Sequence, residues 1–157
     1  MPRQLARDDQ GNLIIDKRGP RFGAAVTTVV LAVALILQGQ VGAVLVVWQW
    51  IAFTISTFFG LAWSPYGNLF RFVKRRFDLG APSQTEPEGP PRFAQFCGFA
   101  VLTVAVILFA ITGVDAVGAW VAVGIVLALS TLLAATGLCV GCELYLWGHR
   151  LRSRTAQ

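Results

Sequence analysis

A chain of 157 residues that is 55% hydrophobic and only 13% charged is not an ordinary soluble domain, since such domains carry roughly 25% charged residues. Its mean hydropathy of +0.64 makes the bilayer its expected solvent. The net charge of +5 is spread among the flanks of apolar blocks rather than gathered on one face, which argues against nucleic acid and for anionic lipid headgroups as its partner.

In chain order, residues 1–19 form a polar, basic segment expected in the cytosol. No short apolar core with a small-residue cleavage pattern follows it, so no cleavable signal peptide is expected. Two apolar blocks come next, Phe22 to Trp63 and Phe93 to Leu138. Each holds about twice the roughly 20 residues that one spanning helix needs, so each is expected to be a helical hairpin. The turns are placed at Gln38-Gly39-Gln40-Val41-Gly42 and at Gly113-Val114-Asp115-Ala116, where glycine and polar residues end helices.

Domain bounds follow as 20–63 for the first hairpin, 64–90 for the connecting segment, 91–148 for the second hairpin and 149–157 for a basic cytosolic tail. In the connecting segment, Asn68 to Phe77 mixes aromatic and basic residues in the manner of an interfacial amphipathic helix. Gly80 to Pro91 is rich in Pro, Gly and acidic residues and is expected to be a flexible loop, disordered in part. The fold class is therefore an all-α membrane protein with four transmembrane helices, arranged as two similar hairpins plus interfacial amphipathic helices.

Orientation comes from the 13 Lys and Arg residues. All of them precede the first span, lie between the hairpins or follow the last span, and neither outer turn carries one. Because Lys and Arg accumulate on the cytosolic side, both termini and the central segment are expected there. Pro20-Arg21-Phe22 and Pro91-Arg92-Phe93 open the two hairpins 71 residues apart, and Pro20–Leu37 laid on Pro91–Leu108 gives nine identities in eighteen. This pattern predicts a parallel internal repeat with an approximate two-fold axis along the membrane normal, closed as a four-helix bundle.

Aromatic residues are expected as belts: Trp63, Tyr66, Tyr145 and Trp147 at the inner interface, and Trp48, Trp50 and Trp120 at the outer one. Gly118 with Ala122, and Gly124 with Ala128, have the helical spacing that lets backbones approach closely. Gln49 is the one strongly polar residue well inside a span, and no ionisable group lies mid-membrane. That argues against a proton-coupled carrier.

The candidate chemistry lies in Gly137-Leu138-Cys139-Val140-Gly141-Cys142-Glu143, where a Cys-x-x-Cys pair ends the last apolar block. Laid over Gly60-Leu61-Ala62-Trp63-Ser64-Pro65, it predicts a helix break at Gly141, matching Pro65. Cys142 then opens an amphipathic stretch and is expected to be the attacking thiol, with Cys139 resolving it and Glu143 modulating it. Packing alone is the competing reading of the pair. Cys97, Cys139, Cys142 and His149 add up to the four ligands zinc needs, but His149 lies in the basic tail, and no metal or cofactor is expected. In the cytosol the thiols are kept reduced, so a permanent disulfide is not expected. Arg21 and Arg92, at helix N-termini, oppose the helix dipole and call for negative company. Asp16, Glu88, Glu143, lipid phosphate and a substrate anion such as a sulfur oxyanion are the candidates.

Asp16-Lys17-Arg18-Gly19-Pro20-Arg21-Phe22, Pro90-Pro91-Arg92-Phe93-Ala94-Gln95 and Gly137-Leu138-Cys139-Val140-Gly141-Cys142 together resemble the bacterial membrane family catalogued as domain of unknown function 4395. The resemblance runs from about Asp16 to Trp147. It implies a four-span protein of the bacterial inner membrane, of undefined activity, found alongside thioredoxin-like or sulfurtransferase proteins, and hence thiol or sulfur handling. Cys97 is not part of that pattern. The expected function is a thiol-redox or sulfur-relay partner; a non-enzymatic scaffold and a small-solute transport bundle are the alternatives.

Overall fold

The computed structural model describes residues 14–78, 80 and 84–154. The N-terminal segment up to residue 13, with Arg3 and Arg7, residues 79 and 81–83 of the connecting loop and the last three residues of the tail lie outside the described residues. In chain order the elements are β1 (Ile14–Asp16), α1 (Arg18–Leu37), α2 (Gly39–Phe58), α3 (Pro65–Arg76), β2 (Thr85–Pro87), α4 (Gly89–Thr112), α5 (Val117–Thr136) and α6 (Val140–Arg154). The protein is all-α in character. Of its helices, α1, α2, α4 and α5 are 20 to 24 residues long and apolar enough to cross a membrane, spanning about 30–36 Å at roughly 1.5 Å per residue.

The breaks between spans follow from local chemistry. One residue, Gln38, separates α1 from α2; it adopts φ +39° and is followed by Gly39 at φ +54°. Two residues in the left-handed region reverse the chain in minimal length. The partner break opens at Gly113, φ +89°, whose N–H caps Phe109 O at 3.1 Å. Gly42 permits the first reversal, because a Cβ there would lie 2.5 Å from Ala34 O.

The four long helices form a ring in which α1 packs on α2 and α5, and α4 packs on α2 and α5. Leu31, Val46, Leu102, Ala105, Ala119 and Val123 are fully buried between them. Large apolar residues such as Val29, Val44, Ile107 and Val121 face outward, as lipid-facing surfaces require. Close approach occurs at Gly42 and at Gly98, where a Cβ would meet the Phe53 ring at 2.5 Å. The expected Gly124 and Ala128 contact is absent: Ala128 is exposed and nothing lies within 4 Å of a Cβ placed on Gly124. Gly118 is exposed as well, with Ala122 alone of its pair buried.

Three aromatic placements need correction. Trp48 and Trp50 lie 9 and 11 residues beyond the start of α2 at Gly39, roughly 14–17 Å from the turn, so they sit near mid-span rather than at the outer interface. The Trp50 indole N–H is satisfied there by Thr103 Oγ1 at 2.8 Å. Tyr66 is buried rather than part of an exposed belt. Its hydroxyl donates to Gln49 Oε1 at 2.6 Å, and Gln49 Nε2 donates to Thr27 Oγ1 at 3.1 Å. Gln49 is thus a fully buried polar link between α1, α2 and α3. Burial pushes the Tyr66 phenol up to about 12, which keeps the donated proton in place. Trp120 does lie at its turn, donating to Val114 O at 2.8 Å. Trp63 and Trp147 are exposed.

Among its described residues, the connecting segment holds a helix and a short strand. The α3 helix starts at Pro65, a favoured first helical position, and exposes Leu69, Phe72 and Phe77 while ending on Lys74, Arg75 and Arg76. After it, Thr85–Pro87 pairs antiparallel with Ile14–Asp16, in the register Ile14↔Pro87, Ile15↔Glu86, Asp16↔Thr85. Lys17 N–H extends the ladder to Gln84 O at 3.2 Å. This sheet ties together the segments that enter α1 and α4. Asp16 is further held by Lys74, whose Nζ lies 2.9 Å from Asp16 Oδ2. Partial burial pushes the Asp16 carboxyl up, but Lys74 and the Arg18 N–H outweigh it and leave it below the usual carboxylate range.

Candidate functional site

At one end of the ring α1 and α4 begin and α2 and α5 end, and the cysteine pair lies there. The α5 helix stops at Thr136, two residues before the apolar block ends at Leu138. Gly137 takes the left-handed conformation, φ +77°, and its N–H caps Leu133 O at 2.9 Å. This is the common glycine C-cap. Thr136 Oγ1 then accepts the Leu138 N–H at 3.1 Å. The break is thus at Gly137 to Cys139, not at Gly141, and α6 starts at Val140.

That placement makes Cys139 the residue at the N-terminal boundary of α6. Its carbonyl accepts the Glu143 N–H at 3.0 Å, the first helical bond, while its sulfur accepts the Cys142 N–H at 3.3 Å. A side chain that accepts the N–H of the third helical residue is doing what an N-cap does. Cys139 and Cys142 have Cα atoms 5.1 Å apart and their sulfurs at bonding distance, within the range a disulfide requires. Both residues are half-buried, whereas Glu143 points outward and is exposed, where solvent and salt screen its charge.

The α6 helix is docked on α4 at close range. A Cβ on Gly141 would lie 2.7 Å from Ala94 Cα, and Tyr145 packs on Phe93 with ring centroids 5.7 Å apart. The α6 helix continues through Arg154, so His149 and Arg150, expected in a tail, are helical. Cys97, the residue just before the close Gly98–Phe53 contact in α4, is a free thiol. Among the described residues no group of three His, Cys, Asp or Glu side chains converges as metal ligands.

Neither arginine meets the carboxylates proposed for it. Arg21 reaches from the start of α1 to the last turn of α5, where Nη2 donates to Ala134 O at 3.2 Å. Its guanidinium also lies 3.6 Å from where a Gly137 Cβ would be. Arg92 reaches from α4 to the end of α2, donating to Thr57 O at 2.8 Å and Phe58 O at 3.2 Å. Orphan carbonyls at a helix C-terminus carry the negative end of the dipole and welcome a cation. The negative company is backbone, which no residue spacing could reveal. Of the suggested carboxylates, Asp16 binds Lys74, and Glu88 accepts the Leu61 N–H at 2.7 Å, beside Gly60 at φ +88°.

No curated protein and no solved structure matches the chain. Residues 15–150 match the family model described as Domain of unknown function (DUF4395). That match spans both arginines, the four long helices that are apolar enough to cross a membrane and the cysteine pair, and the chain belongs to this family of unknown function.

Proposed function

We propose that the protein is a membrane-embedded dithiol–disulfide module of the bacterial inner membrane, whose Cys139–Cys142 pair exchanges with a cytosolic thioredoxin-like or sulfurtransferase partner. The observation that carries this reading is the position of Cys139 at the start of α6, its sulfur accepting a helix N-terminal N–H while at bonding distance from Cys142. The positive end of a helix dipole favours a thiolate. The roles expected from sequence are accordingly exchanged: Cys139 attacks and Cys142 resolves. In the oxidising direction, Cys139 thiolate attacks a partner disulfide, forming a mixed disulfide and releasing one partner thiolate. Cys142 thiolate then attacks Cys139 sulfur and expels the second. The partner disulfide gains two electrons and two protons; the Cys139–Cys142 dithiol loses both.

The same proposal places the pair on a scaffold of two equivalent hairpins related by a two-fold axis. In the alignment of the two halves Arg21 falls on Arg92, and Ala134 falls on Thr57; the arginine-to-carbonyl bonds join these equivalents. Phe22 with Phe70 and Phe93 with Tyr145 repeat one ring contact between an entry helix and the interfacial helix packed on it. The central pair of the small sheet, Ile15↔Glu86, joins residues 71 apart, the spacing of the repeat itself. Such a self-pairing is what an axis through the sheet produces. With the basic residues grouped at this end, the positive-inside rule puts the cysteines in the cytosol.

The test is an equilibrium titration. Membranes are poised across a series of dithiothreitol ratios, quenched in acid and alkylated with a heavy maleimide, and the mass shift at Cys139 and Cys142 is read. A single two-electron transition that returns on re-oxidation is expected, absent when either cysteine is serine. Thiols that stay reduced or oxidise only irreversibly would end this reading.

A further inference from the structure

Beside the cysteine loop lies a cleft of about 400 Å³ lined by Lys17, Arg18, Arg21, Gln84, Thr136 and Gly137. Three of its six lining residues are cationic, and none is a carboxylate. The acidic groups that interact with its cations are Asp16, which pairs with Lys74, accepts the Arg18 N–H at 3.0 Å and feels the Arg18 charge, and Glu86, which interacts with Lys17 and whose carboxyl burial pushes up. Arg21 joins the cleft to the α5 terminus through Ala134 O. Two peptide units separate Gly137 from Cys139, so their Cα atoms are at most about 7.6 Å apart. An oxyanion held by these cations therefore lies beside the loop that leads from Gly137 into Cys139.

We infer that this cleft binds the anionic group of a small thiol and presents its sulfur to the Cys139–Cys142 pair. The inference rests on the redox reading above and names the substrate class for it. Lys17 and Arg18, exposed at the cleft rim, attract the anion. Arg21, pinned to α5, sets where it rests. The attacking thiolate of the bound molecule forms a mixed disulfide with one cysteine and the other leaves as thiolate. A second molecule attacks the mixed disulfide, giving the protein dithiol and one oxidised reagent disulfide. Two electrons pass to the protein, and the thiol protons reach the released thiolates.

The experiment compares 2-mercaptoethanesulfonate with 2-mercaptoethanol as reductants of the full-length oxidised protein in phosphatidylcholine nanodiscs, by acid quench and mass shift. The sulfonate is expected to react about tenfold faster. That preference should vanish in the Lys17→Gln/Arg18→Gln double variant while the mercaptoethanol rate is unchanged, and it should fall as salt rises. Equal rates in the wild type would overturn the anion site and leave the redox pair standing. No reduction by either reagent would overturn both. Lipid phosphate offers the same chemistry, so the rates are repeated with phosphatidylglycerol and expressed as wild type over variant, which cancels general surface repulsion. A ratio that persists supports a free-anion site; one that collapses to unity assigns the cleft to a headgroup and overturns the proposal.

Discussion

Replacing Gly141 by alanine is expected to destabilise the protein by about 1–3 kcal/mol, the usual cost of overpacking, and to loosen α6 from α4. The ideal Cβ would stand 2.7 Å from Ala94 Cα and 2.8 Å from Ala94 Cβ. The first of these is backbone, so no rotamer change relieves it. Alanine at the second helical position of α6 gains up to about 1 kcal/mol of propensity over glycine, which offsets part of the clash without removing it. Gly141→Val has no such compensation and should cost more. Thermal unfolding in detergent, followed by α6 protection from hydrogen exchange, reads both effects. Adding Ala94→Gly removes one of the two clashing atoms and should recover part of the loss. A Gly141→Ala protein as stable as the wild type would show that α6 does not dock on α4 at this point, and the geometry of the cysteine pair would have to be rebuilt.

Tyr66→Phe is expected to cost about 1–2 kcal/mol, because it leaves Gln49 Oε1 buried without its donor. Hydrogen bonds inside membrane proteins average about 0.6 kcal/mol and reach about 1.7, while an unsatisfied buried acceptor costs about 1–3. Gln49→Leu removes the acceptor and should carry a similar cost, since the Tyr66 O–H keeps its contact with Trp48 but loses the group it donates to. The informative measurement is the double variant. If the three groups Thr27, Gln49 and Tyr66 act as one chain, the double change costs clearly less than the sum of the singles. Additive losses would mean that the chain is not a unit.

These two sites show where the sequence was readable and where it was not. The four spans and the turn within each hairpin follow from block length and from Gln38-Gly39 and Gly113, because membrane thickness leaves few alternatives. Arg21 and Arg92 were identifiable as unusual, since a cation at a helix N-terminus is unfavourable. Their partners were not, because the carbonyls of Ala134 and Thr57 come from helices far along the chain. Tyr66 reads as an interfacial tyrosine until α3 is docked and its hydroxyl meets Gln49. Strands of three residues, one ending in Pro87, carry no usable alternation. The helix break does carry a sequence signal: Gly137 directly after Thr136 is a C-cap glycine. Reading it there, rather than at Gly141, moves the helix start onto Cys139 and changes which thiol is expected to attack.

That exchange of roles supplies the most direct measurement of the central claim. Single-cysteine variants Cys142→Ser and Cys139→Ser are placed in native membranes, exposed to a mild disulfide donor such as oxidised glutathione, quenched in acid and analysed for mixed disulfides by mass spectrometry. The account predicts rapid adduct formation on Cys139 in the Cys142→Ser protein, and adduct formation at least about tenfold slower on Cys142 in the Cys139→Ser protein, where the accessible thiolate is lost. Inert thiols in both variants, or trapping on Cys142 as fast as or faster than on Cys139, would contradict it; because both thiols are half-buried, the difference reads the helix N-terminus and not exposure.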